Sequence, residues 1–147
     1  MINACFWNIR GVAKPPNLRR LNTLVRMHRL LFVGVCEPKL SKCEADSIRL
    51  KLNFDHVQCN ASGELRVWVF FSSPVGGQVV GESDQHLSIR WGHPQFPDPL
   101  LISFVHAKCV RDERQRLWEG LLQDKPGKGH WCVVGDFNLI LSGNEKK

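Results

Sequence analysis

The chain opens and closes on the same pattern: an apolar run, an amphipathic helical stretch and a second apolar run. At the front, Ile2 to Ile9 is apolar and stops at Arg10-Gly11. After a loop containing Pro15-Pro16, Leu18, Leu21, Leu24, Val25 and His28 recur at helical spacing, with Arg19, Arg20, Arg26 and Arg29 on the opposite side. Leu31 to Cys36 is a buried-strand run stopped by Glu37-Pro38. At the back, Leu100 to Val105 reads as a strand. Asp112 to Gln123 reads as a helix burying Leu117, Trp118, Leu121 and Leu122, and Trp131 to Val134 is a last strand ending at Gly135-Asp136.

Between these ends, Ser41 can cap a second short helix with Ile48 and Leu52 on its inner face. The stretch from Phe54 to Trp91 then holds short β-like runs at His56–Cys59, Glu64–Phe71, Gln78–Val80 and His86–Trp91. Gly, Ser and Pro turns separate them, as in antiparallel meanders. The order β-α-β, several β, β-α-β predicts an α+β protein of mixed sheets with helices outside, not a bundle or an all-β barrel. With 147 residues, 43% of them hydrophobic, there is room for one domain with a packed core.

A net charge of +6 favours polyanionic partners, nucleic acid first. No apolar run is long enough to span a bilayer, so no membrane partner is expected. The chain does not open on a basic segment followed by an apolar one, and a nuclear or cytoplasmic location is expected rather than secretion. The six cysteines are scattered, without a C-x-x-C pair, and read as reduced, mostly buried thiols rather than zinc ligands. The five tryptophans read mostly as core.

Asn8, Glu37 and Asp136 each lie at or just past the C-terminal end of an apolar strand. Residues from separate strands of one sheet can converge there on a crevice. A carboxylate such as Glu37 suits Mg²⁺, which takes hard oxygen ligands and keeps several waters beside one or two carboxylates. The same residue types also end strands simply because they favour turns, and Asp136-Phe137-Asn138 has the composition of an Asx-turn. Spacing alone leaves both readings open.

Three short segments add to this: Trp7-Asn8-Ile9-Arg10-Gly11, Cys36-Glu37-Pro38-Lys39 and Gly135-Asp136-Phe137-Asn138. In order and rough spacing they resemble the first three motifs of the exonuclease–endonuclease–phosphatase superfamily. Phe104-Val-His-Ala-Lys-Cys109 and the Arg114-x-x-Leu117-Trp118 helix are similar to the apurinic/apyrimidinic-type endonuclease domain of plant LINE-type retrotransposons. The resemblance spans essentially residues 1–147, read as a single front portion of such a domain. It implies a four-layer α/β-β/α sandwich of two mixed sheets, here incomplete. It implies Mg²⁺ as cofactor, with Mn²⁺ as a substitute, held by Glu37, with Asn8 supporting the metal ligand or helping to orient the phosphate. Asp136 would orient or deprotonate the attacking water, and Asn138 would hydrogen-bond a phosphate oxygen. His106 falls where many relatives place a phosphate-contacting tyrosine; a strand-end histidine without that role remains the alternative. DNA would be the partner, and in a full-length relative a reverse transcriptase domain would be fused.

Arg10, Lys14, Arg19 and Arg20 near the first motif, and Lys108 and Arg111 further along, fit phosphate contacts. Arginines on one side of an amphipathic helix are also what a solvated face looks like. The chain departs from the family in one respect. Relatives continue to a Ser-Asp-His segment whose histidine stabilises the transition state, and nothing after Asn138 matches it. Ser83-Asp84-Gln85-His86 is the nearest look-alike, in the wrong part of the order. Impaired or absent DNA nicking by this chain alone is therefore expected, since catalytic residues act as a unit. Two other functions stay open: a non-catalytic remnant that at most binds nucleic acid, and a phosphatase of the same superfamily acting on a small substrate.

Overall fold

A computed structural model describes residues 2–60, 67–72, 76–94 and 97–139. The elements run β1 (Ala4–Asn8), α1 (Pro15–His28), β2 (Phe32–Cys36), α2 (Lys42–Leu52), β3 (His56–Cys59), β4 (Val67–Phe71), β5 (Gly76–Glu82), β6 (His86–Gly92), β7 (Leu100–His106), α3 (Arg111–Asp124) and β8 (His130–Asp136). Four strands form one sheet in the order β1-β2-β4-β3, and four form a second in the order β5-β6-β7-β8. The β1–β2 and β7–β8 pairs, each closed by a helical crossover, are parallel, and the other four pairs are antiparallel. This is the expected α+β class with two mixed sheets. The run from Phe54 to Trp91 is not one meander, however. The chain leaves the first sheet after β4 and enters the second at β5, and β4 inserts between β2 and β3.

The central strands are apolar on both sides because both sides are covered. In β2, Phe32 and Cys36 face the second sheet while Val33 and Val35 face the helices; in β4, Val67, Val69 and Phe71 face inward and Trp68 and Phe70 outward. The inner layer is completed by Leu87, Ile89, Trp91, Ile102 and Phe104. Trp91 lies there with ring centroids 4.7 Å from both Phe32 and Phe71. The outer face of the first sheet packs on α1 and α2, and that of the second on α3. Each such buried apolar side chain contributes about 1.5–3 kcal/mol.

Several local expectations are corrected. Pro15 and Pro16 are the first residues of α1 and not part of the loop, since the opening turn needs no N–H donor from them. His28 and Leu122 are exposed, Leu122 by 68%. Arg114, Leu117 and Leu121 make the inner stripe of α3, and position 122 falls outside it at 100° per residue. Only Cys36 and Cys59 are buried, Cys5 is half-buried, and Cys43, Cys109 and Cys132 are exposed. Of the tryptophans, Trp68 and Trp91 are core, whereas Trp7, Trp118 and Trp131 are half-buried at its margins. Ser41 does cap α2, in a capping box with Glu44. The start of the fourth expected strand, Glu64 to Arg66, lies outside the described residues.

Candidate active site

Each sheet contributes one parallel pair whose strands end level. Asn8 at the end of β1 is in register with Cys36 of β2, and His106 at the end of β7 is in register with Asp136 of β8. The two pairs end on the same side of the molecule, with β1 beside β8. Convergence thus occurs across two sheets and not within one, as the sequence had suggested.

The meeting point is the Asn8 amide. Its Nδ2 donates to Glu37 Oε1 at 3.2 Å and to Asp136 Oδ2 at 3.0 Å, so two carboxylates far apart in sequence share one donor. His106, only 4% exposed, places Nε2 3.4 Å from the same Glu37 oxygen. Asn138 closes the predicted Asx-turn: its backbone N–H donates to Asp136 Oδ1 at 3.0 Å, and its side-chain amide donates to the Ala107 carbonyl at 2.5 Å.

The backbone around these side chains is unusual. Arg10, Glu37, Lys39 and Asn138 all have left-handed φ, at 47°, 51°, 55° and 47°. For non-glycine residues this conformation costs energy and collects where a scaffold over-determines it for function. The scaffold is visible here. The β1–β2 pairing continues past the strands through Gly11 N–H to Glu37 O (2.8 Å) and Val12 N–H to Pro38 O (3.0 Å). Gly11, at φ 108°, sits under the Lys14 side chain. A side chain at Gly135 would run into the Val105 carbonyl of the paired strand, so the end of β8 needs glycine there.

The Cys36 thiol is pushed up to about 12, first by burial and then by the Asp136 and Glu37 carboxylates beside it. Asn8 Oδ1 is buried and has no hydrogen-bond partner. A hard amide oxygen without a donor, on the side chain whose Nδ2 meets two carboxylates, belongs to a set of oxygen donors of the kind that Mg²⁺ or Mn²⁺ takes. Among the described residues no group of three or more His, Cys, Asp or Glu is arranged to hold a metal. A Mg²⁺ ion, which needs one or two carboxylates plus waters, does not require such a group.

A cleft of roughly 1190 Å³ opens beside Glu37 and His106. The turn Glu37–Leu40 forms one wall, the loop from His106 to Val110 the other, and Arg10 and Asn138 also line it. Of the expected phosphate-contacting cations, Arg10 is exposed in this cleft and Lys14 is the exposed N-cap of α1. Lys108 lines the wall with its ammonium 2.8 Å from Asp84 and 3.3 Å from Glu113, which raise its pKa. Arg111 is exposed at the first residue of α3 and is not among the residues lining this cleft.

Three residues that hold the site were given no role in it from sequence. Asn17 donates to the Ile9 and Gly11 carbonyls, both at 2.9 Å, and so fixes the loop after β1. Gln85 is buried; it accepts from Lys108 N–H (2.8 Å) and donates to Glu113 O (2.9 Å), while its carbonyl accepts from His106 N–H (2.8 Å). Arg114, 8% exposed, donates through Nη1 to Cys109 O (2.6 Å) and Lys108 O (3.0 Å), with a weaker contact to Asn138 O at 3.4 Å. Arg114 had been marked only as part of the Arg114-x-x-Leu117-Trp118 segment, without a structural role. The Ser83 look-alike proves to be a brace. Ser83 Oγ lies 2.7 Å from His86 Nδ1, and His86 Nε2 lies 2.9 Å from Asp124 Oδ2, with the imidazole 2% exposed. This links the β5–β6 hairpin to the end of α3.

No protein-family model matches the chain, and no curated protein matches it in sequence. Solved structures do. The endonuclease domain of TRAS1, a telomere-specific non-LTR retrotransposon, superposes with a TM-score of 0.69 over 92% of this chain and 60% of its own, at 9% identity. The 3′ phosphatase NExo from Neisseria, bound to a product DNA hairpin, gives 0.69 over 99% and 61%, at 13% identity. An AP endonuclease from Archaeoglobus fulgidus gives 0.63 over 92% and 57%, at 13% identity. The chain therefore spans about three-fifths of the length of these proteins. At such identities the likeness is one of fold.

Proposed function

Starting from the exonuclease–endonuclease–phosphatase fold that the chain shares with these structures, we propose that it carries the metal-holding and water-orienting groups of a Mg²⁺-dependent phosphodiesterase that nicks DNA. The supporting observation is the Asn8 amide joining Glu37 and Asp136 from two sheets at one side of the molecule. Glu37 would hold the ion, with Mn²⁺ as a substitute, and the unpartnered Asn8 Oδ1 would support it. A divalent cation there supplies polarisation of a phosphoryl oxygen and neutralises charge on the leaving oxygen.

The chain's own groups do the rest. Asp136, held by Asn8 on one oxygen and by the Asn138 N–H on the other, orients a water and takes its proton as the water oxygen attacks phosphorus in line. The P–O3′ bond breaks and the leaving oxygen takes a proton from solvent, leaving a 3′-hydroxyl and a 5′-phosphate. His106 and the Asn138 amide contact phosphate oxygens, for which Asn138 exchanges its Ala107 partner. Arg10, Lys14, Lys108 and Arg111 bind neighbouring phosphates and add salt-sensitive affinity without sequence information. The LINE-like flavour of the motifs supports a retrotransposon origin, of a kind whose full-length relatives carry a fused reverse transcriptase domain, and action in the nucleus or cytoplasm. The 3′ phosphatase among the neighbours supports a second reading, cleavage of a phosphate monoester at the same residues.

A bis-p-nitrophenyl phosphate substrate tests this, because its leaving group departs without help from a transition-state histidine. Hydrolysis with Mg²⁺ or Mn²⁺ is expected, and is lost in Glu37→Gln and Asp136→Asn. DNA nicking is expected to be slower by orders of magnitude. Turnover of the mono-ester alone would favour the phosphatase reading, and no turnover above the Glu37→Gln background for either ester would refute both.

A further inference from the structure

The net charge of +6 has one source. Arg10, Lys14, Arg19, Arg20, Arg26 and Arg29 lie in a stretch without a single acidic residue, and over the rest of the chain basic and acidic residues balance. All six are exposed, and no ion pair among the described residues involves them. Among the described cations elsewhere, two are matched by acids: Arg49 pairs with Asp46, and Lys108 with Asp84 and Glu113.

We propose that the solvent face of α1 is a docking track for the sugar–phosphate backbone of duplex DNA outside the cleft. It deepens the reading above and rests on it for the identity of the polyanion. Arg19 and Arg26 are seven residues apart, so they share one stripe and stand about 10 Å apart along the axis. Arg20 and Arg29 flank that stripe. Arg10 lines the cleft and Lys14 caps the helix, so the track starts at the site and leads away from it. The 14 residues of α1 extend about 21 Å, the length of roughly six base pairs.

The chemistry favours phosphate diesters over a lipid surface. A membrane-bound helix must insert an apolar face. In α1 that face is used up: Leu21 is fully buried, and Leu18, Leu24 and Val25 pack on the core, leaving Met27 as its one large exposed apolar side chain. The outer cations of the helix are all arginine, whose planar fork matches phosphate oxygens.

The test is anisotropy of the 147-residue chain with a labelled duplex of about 30 base pairs, in EDTA, from about 50 to 200 mM salt. Each phosphate contact adds about 0.9 to the slope of log affinity against log salt. Arg19→Gln with Arg26→Gln should lower the slope by about 1.8, so that over this range the wild type weakens about twelvefold more than the variant. Thr23→Arg, which adds a cation to the same exposed stripe, should raise the slope by about 0.9. An unchanged slope in both, with melts that match wild type, overturns the track. So does binding to vesicles of about 30% phosphatidylserine without binding to duplex. Glu37→Gln should leave the slope unaltered. A chain that hydrolyses no ester but shows the arginine-dependent slope therefore loses the catalytic reading and keeps the track.

Discussion

Gly34 stands in the middle of β2 facing the second sheet, where a methyl group would lie 2.5 Å from the Phe104 ring and 2.8 Å from Phe6. Those two rings already stack across the sandwich at 6.4 Å, and Phe104 is 1% exposed, with no free volume to retreat into. Gly34→Ala therefore sets two effects against each other. Restricting the unfolded chain favours alanine by about 0.4–1 kcal/mol. Overpacking a close-packed interior costs about 1–3 kcal/mol. Sterics should win by roughly 1–2 kcal/mol, lowering the melting temperature by about 2–8 °C for a chain of this size. The same wedge pushes apart the sheets that carry Asn8 and Asp136, whose side chains now meet at 3.0 Å. Melting curves with and without MnCl₂ read both effects, and the ion-induced rise in melting temperature should shrink in the variant. A Gly34→Ala protein that melts at or above wild type would show that the sheets tolerate the methyl, and the packing argument would fail.

Arg114→Met keeps the length of the side chain but strands the Lys108 and Cys109 carbonyls, an expected loss of about 2–4 kcal/mol in urea unfolding, with partial rescue by lysine. A loss below about 1 kcal/mol would show that water replaces the guanidinium. The Cys59 thiol is raised to about 11, chiefly by burial, with Lys42 acting in the opposite sense. A raised folded pKa means its contribution is complete below the unfolded value of 9.0 and is lost as pH climbs toward 11. The urea midpoint should fall between pH 8 and 10.5, and fall less in Cys59→Ala; equal falls would exonerate this thiol.

Every helix and strand was legible before the structure, because each obeys local rules: a 3.6-residue stripe in α1 and α3, a cap and inner face in α2, continuous apolar runs in β2 and β4. Partnership between strands was not legible. Nothing in His56–Cys59 or His86–Trp91 tells which sheet a strand joins, since the division depends on side chains such as Trp91 that find their contacts only in three dimensions. The site was legible to the same depth. Polar residues at strand ends marked Asn8, Glu37 and Asp136, but not that a shared amide would join them across a layer boundary. Asn17 and Gln85 act through backbone groups distant in sequence or hidden within turns, and such bonds leave no periodicity to read.

The level ending of the two parallel strand pairs has a mechanical consequence. An ion held by Glu37 with support from Asn8 would sit on the amide that also ties Asp136 of the other layer, and so would brace one layer of the sandwich on the other. Its affinity and the docking of the layers would then be two gauges of a single equilibrium, and saturation at a hundred times the dissociation constant would add about 2.7 kcal/mol to folding. Substitutions deep between the layers, far from any phosphate, would surface first as a slackened grip on the ion.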